Sequence, residues 1–140
     1  MASPEAYYAA TAALAAADPA AVEERGRQAG AALGDDPAGA VRALREQVVA
    51  RVRNADDPAI ETIAGGMRLS AYLPTRTFEL VVHSYDIATA VGLALPEFNT
   101  DVLGEVASLA ARVAVQRGQA YEVIAALTGR RALPPGFSVV

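Results

Sequence analysis

Residues Pro74 to Val91, PTRTFELVVHSYDIATAV, have the spacing of one long helix. At about 100° per residue, Phe78, Leu80, Val81, Val82, Tyr85, Ile87 and Val91 cover most of a helical surface. Arg76, Glu79, His83 and Asp86 fall within one narrow stripe of it. A helix apolar on nearly all sides is usually buried, so the stripe must face water, a partner group or a site. No segment of the chain shows sustained period-2 alternation with β-branched enrichment, so the expectation is all-α with no sheet.

The flanking sequence supplies helix punctuation. Ser3-Pro4, Asp18-Pro19, Asp36-Pro37 and Asp57-Pro58 each put a capping side chain directly before a proline. The side-chain oxygen can accept from free N–H groups, and proline at the first helical position gives up no needed donor. Gly34, Gly92, Gly118 and Gly129 follow helical patterns, where a left-handed residue ends a helix well. Helices are therefore expected near 4–17, 19–33, 37–54, 58–64, 74–91, 97–117 and 119–128. Gly65 to Leu73 is expected as a loop, and the tail around Pro134-Pro135-Gly136 as irregular. Short connections suit antiparallel neighbours in one domain spanning residues 1–140. Within 37–54, Val41, Leu44, Val48 and Val52 make an apolar stripe, with most of the charged residues off it.

Composition bounds the function. The chain has 140 residues, 53% of them hydrophobic, and a mean hydropathy of +0.22, which argues for a packed domain rather than disorder. All 12 basic residues are arginines against 16 acids, a net charge of −4 without a basic stripe. Nucleic acid and anionic membrane are poor partners for such a surface. There is no cysteine, which excludes disulfides, a thiolate nucleophile and cysteine-ligated zinc. The alanine-rich start lacks a basic leader and a strongly apolar core, and the protein reads as cytoplasmic.

Glu79 and His83 stand four residues apart on the polar stripe. That spacing puts their Cβ atoms about 5–6 Å apart, so a carboxylate and an imidazole can converge on one ion. Imidazole plus carboxylate suits zinc, nickel or iron(II), and a catalytic site needs about three protein ligands with an open position. Arg76 could pair with Glu79, and Asp86 could orient His83 or an incoming group. The same four residues would also arise as a solvent-facing row held by i,i+3 and i,i+4 ion pairs. Tyr7, Tyr8, Tyr72 and Tyr121 read as packing residues with wet hydroxyls, and Arg130-Arg131 as charges at a helix C-terminus.

The wider string Leu69–Gly92, LSAYLPTRTFELVVHSYDIATAVG, resembles the mycothiol-dependent maleylpyruvate isomerase family. The Arg-x-x-Glu-x-x-x-His-x-x-Asp block is the most specific part. Arg25-Gly26-Arg27, Leu33 to Pro37, Gly65 to Leu69, Leu127 to Arg130 and Gly136 to Val139 extend the resemblance over most of the chain. The resemblance implies a DinB-like helical bundle and a divalent metal, usually zinc. Two of the metal's ligands match Glu79 and His83. It also implies mycothiol as the thiol cofactor and isomerisation or thiol transfer on a small-molecule electrophile. The cation would stabilise a thiolate at neutral pH.

The family's first metal histidine, on an early helix, has no counterpart in a sequence with one histidine. The chain is therefore expected to correspond to a C-terminal portion of such a protein, a partial bundle with an open face. That face would be covered by a homo-oligomer or by a partner chain supplying the missing ligand. A non-catalytic dimerisation or interaction module is the alternative.

Overall fold

Three of the four expected caps act on the helix that follows them. Ser3, Asp18 and Asp36 accept from the N–H groups of Ala6, Ala21 and Gly39, at 3.2, 2.9 and 2.9 Å. They start α1 (Pro4–Ala17), α2 (Pro19–Ala31) and α3 (Pro37–Arg53), each with proline at the first helical position. The computed structural model describes all residues from Met1 to Val140.

The fourth pair, Asp57-Pro58, starts no helix, which corrects the helix expected over 58–64. Asp57 has a positive φ of 46°, a left-handed turn that aspartate tolerates better than most residues. The chain then pairs β1 (Ala59–Ile60) antiparallel with β2 (Met67–Arg68), a two-residue hairpin where no strand was expected. The turn is closed by Thr62, whose hydroxyl and backbone N–H both donate to the Gly65 carbonyl. Residues 54–68 thus form a longer, structured connection in place of the short one expected.

The hairpin delivers Asp57 to the start of α4 (Leu69–Val91), where its Oδ1 accepts from the Ser70 N–H at 2.7 Å. The aspartate caps a helix after all, but one thirteen residues on. This contact moves the start of α4 back from Pro74 to Leu69, so the expected loop over 65–73 is half helical. Pro74 stands within the second turn. Its missing donor orphans the Ser70 carbonyl, which is at the exposed start of the helix where water can reach it. At the far end Gly92, at φ 69°, closes α4 while the Leu93 N–H reaches the Ala88 carbonyl. α5 (Thr100–Gln116) starts three residues later than the expected 97, where Asn99 accepts from the Val102 N–H, and α6 (Ala120–Leu127) follows.

With 66% of residues in six helices and only the small hairpin besides, the fold is all-α. α1, α4 and α5 pack on one another, α6 rests on α5, and α2 adjoins α1. The core is Tyr8, Phe78, Leu109 and Val113, one or two residues from each of those three helices, with Val82, Val106, Ala110 and Val139 against it. α3 packs closely on no other helix. α4 is covered on one side only. Thr75, Phe78 and Ala88 are buried, whereas Leu80, Tyr85, Ile87 and Val91 are each more than half exposed, against the expectation of a helix buried all round. No helix is long and apolar enough to cross a membrane.

Leu109 is 1% exposed at the centre of this small core. Leu109→Ala should lower the unfolding free energy by about 2–5 kcal/mol, read from urea denaturation. Two carboxyls are expected to make the fold less stable in acid. Hydrogen bonds from Ser70, its backbone N–H first, hold Asp57 below the usual aspartate range. Burial pushes Glu5 up, but hydrogen bonds, chiefly from Arg112 across the α1–α5 contact, outweigh it and leave Glu5 lowered. Both folded values lie below the unfolded ones. The stability they contribute is therefore complete above the ordinary carboxylate range and lost as pH falls through the lowered values. Urea midpoints taken from about pH 7 to about pH 3 should fall at the acid end, and less steeply for Glu5→Gln with Asp57→Asn.

Candidate functional site

The polar stripe of α4 lies where α1 crosses it. Tyr8 on α1 is 6% exposed, its ring edge-on to Phe78 with centroids 5.3 Å apart. Its hydroxyl donates to Glu79 Oε1 at 2.8 Å, with the Thr75 carbonyl at 3.2 Å also in reach. Burial, then the hydrogen bond to Glu79, pushes the Tyr8 hydroxyl far above the ordinary tyrosine range. Tyr8 is therefore a fixed neutral donor, not a wet hydroxyl.

The other oxygen of that carboxylate meets His83, with Glu79 Oε2 3.1 Å from His83 Nε2. His83 Nδ1 is 3.4 Å from Asp86 Oδ2. The four side chains form one row, Tyr8–Glu79–His83–Asp86, in which the imidazole lies between two carboxylates. A neutral imidazole has one N–H, so it can donate to only one of them at a time. Glu79 is the half-buried end of the row and His83 the open end, with side chains 29% and 65% exposed.

Arg76 turns away from the partner expected for it. Its Nε donates to Thr75 Oγ1 at 3.1 Å and one terminal nitrogen donates to the Tyr7 hydroxyl at 3.3 Å. The guanidinium lies 4.6 Å from the Tyr72 ring centroid and 5.3 Å from that of Tyr7, a cation–π clamp in place of a salt bridge to Glu79. Burial raises Tyr7 above its ordinary range, and the nearby Arg76 charge pulls the other way. The roles of Tyr7, Tyr8 and Tyr72 escaped the sequence reading. The one available signal was a Tyr-Tyr pair in an otherwise alanine-rich helix.

Alongside the stripe runs an open groove between α3 and α4. Its wider part, about 600 Å³, has Val48 and Val52 on one wall and Tyr72, Leu73, Arg76 and Leu80 on the other. It continues past the shared residues Val48, Arg76 and Leu80 into a part of about 390 Å³ that reaches Glu79 and His83. A half-buried carboxylate and an exposed imidazole at the end of an apolar groove can offer two donors to a cation, or one proton acceptor to a bound molecule.

Two donors do not close a metal site. Glu79 Oε2 and His83 Nε2 point at each other, and Asp86 lies on the opposite ring nitrogen. No group of three His, Cys, Asp or Glu side chains is placed to hold an ion. The chain's own residues do not fit a three- or four-ligand zinc site unaided.

A helical domain with an Arg-x-x-Glu-x-x-x-His-x-x-Asp stripe opening on a small-molecule-sized groove defines the class. The family model for the mycothiol maleylpyruvate isomerase N-terminal domain matches residues 2–88, from α1 to near the end of α4. The chain belongs to that family. No curated protein and no solved structure matches it.

Removing the Tyr8 hydroxyl should leave the ring packing intact and release Glu79. Tyr8→Phe is expected to keep the helical content and to lose about 1.5–3 kcal/mol of stability, the value of a hydrogen bond to a charged group. Circular dichroism and urea denaturation check both parts.

Proposed function

We propose that this protein is a mycothiol-dependent isomerase or thiol transferase of the cytoplasm. In this reading Glu79 and His83 are two ligands of a divalent metal, zinc by the chemistry of the pair. Asp86 holds the far side of the imidazole, and Tyr8 holds the far side of the carboxylate. A second copy, or a partner chain, covers the open face of α4 and supplies the remaining donor. When bound, the metal would supply stabilisation of a thiolate. The residues of this chain would orient the donors and admit a small electrophile along the groove. The observation that carries the reading is the 3.1 Å convergence of Glu79 Oε2 and His83 Nε2 beside that groove, in a chain of this family.

The alternative is a non-catalytic dimerisation or interaction module in which the stripe is vestigial. What favours it is the exposed apolar surface of α3 and α4 together with the lack of a third donor. Native mass spectrometry of the zinc-supplemented protein separates the two, because it reads oligomeric state and metal load together. The enzyme reading expects zinc in an oligomer, and its loss in Glu79→Ala and in His83→Ala. Metal-free protein, with each substitution costing no more than about 1 kcal/mol, would leave the interaction module standing.

A further inference from the structure

The wider part of the α3–α4 groove is apolar except for Arg53, Arg76 and Thr77, so its only charges are two cations. This is unexpected in a chain with 16 acids and 12 bases. No carboxylate lies within ion-pair distance of either guanidinium, since the ion pairs are those of Arg27, His83 and Arg112. Arg76 uses two of its five N–H donors, on Thr75 and Tyr7. The rings of Tyr7 and Tyr72 hold its plane in place, so a ligand would meet a pre-oriented fork. The first acid along the groove is Glu79, in the narrower part toward His83.

We infer that this groove is a binding site for an organic monocarboxylate with an apolar body, its head on Arg76 and Arg53 and its chain between α3 and α4. A carboxylate matches the arginine fork, and the charge is placed beside low-dielectric walls where the pairing is worth more than in water. The apolar body would cover Val48, Val52, Leu73 and Leu80, of which Val48 and Leu80 are 56% and 67% exposed. Because Arg53 is on α3 and Arg76 on α4, one ligand would bridge a helix that packs closely on no other to the body of the fold. The site needs no metal at Glu79 and His83, although a helix covering Leu80 would compete with the ligand for the groove.

Octanoate is a suitable probe, with octanol as the uncharged match, on the full chain in EDTA. Calorimetry should show saturable octanoate binding that weakens with salt, and octanol at least about tenfold weaker. Arg76→Met should weaken octanoate by about tenfold or more and leave octanol unchanged. Arg53→Met, on an exposed helix that can lose the charge without unfolding, should weaken octanoate in the same direction. Hydrogen exchange should slow in α3 on addition of octanoate. Equal affinity for octanol, unchanged octanoate affinity in the folded Arg53→Met and Arg76→Met variants, or no saturable binding would each overturn the assignment.

Discussion

The hydrogen bond from the Tyr8 hydroxyl to Glu79 joins two parts of the molecule with opposite needs. The Tyr8 ring belongs to the core with Phe78, Leu109 and Val113, while its oxygen is the first member of the polar row that ends at Asp86. Most of α1 is alanine, and alanine buries little area. Docking of α1 on α4 and α5 therefore depends on Tyr7, Tyr8 and the Glu5–Arg112 pair. Without the hydroxyl, Glu79 would lose its shortest hydrogen-bond partner at a half-buried position. The orientation of Glu79 toward His83 follows from the same contact. One carboxylate oxygen is committed to Tyr8, so the other must face the imidazole.

From that junction the molecule is built to one side. α1 and α5 cover the face of α4 that carries Thr75, Phe78 and Ala88, and the opposite face, with Leu80 and Ile87, is open. α3 carries its own apolar stripe, in which Val41, Leu44 and Val48 are each about half exposed. Two facing apolar surfaces with a gap between them lose the burial that would hold them together. The two sites argued above both lie in that gap, because it is where the chain leaves uncompensated surface beside charged side chains.

How much of this was legible in the sequence depended on whether the deciding contact was local. Ser3, Asp18 and Asp36 cap an N–H three residues on, so their meaning is fixed within one turn and the helix starts read correctly. Asp57 has the same capping chemistry, but its N–H partner is Ser70 across a hairpin, and a local rule assigned it to a helix that does not exist. Pro74 misled for a related reason. Proline marks a first turn by habit, yet here the start had already been set by Asp57, and the exposed Ser70 carbonyl made the missing donor tolerable. The i,i+4 relation of Glu79 and His83 was legible from spacing, and so was the family from the surrounding string. The link to Tyr8 spans 71 residues, and that of Arg76 to Tyr7 spans 69, which no periodicity encodes.

The incompleteness of the stripe and the open face of α4 bear on each other. Tyr8 orients Glu79 and Asp86 flanks His83, so on the proposed reading less ordering entropy would remain to be lost on binding an ion. What they lack is a further donor, and the row runs beside the groove lined by Leu80, Ser84 and Ile87. A group reaching His83 Nε2 along that groove would meet the exposed apolar side chains of Leu80 and Ile87. On the proposed reading, a helix that covered Leu80 and Ile87 would bring its own side chains to the Glu79–His83 pair in the same docking step. Burial of apolar area would then drive the association, and the donor it carried would decide whether the covered stripe holds a metal or stays an ion-paired row.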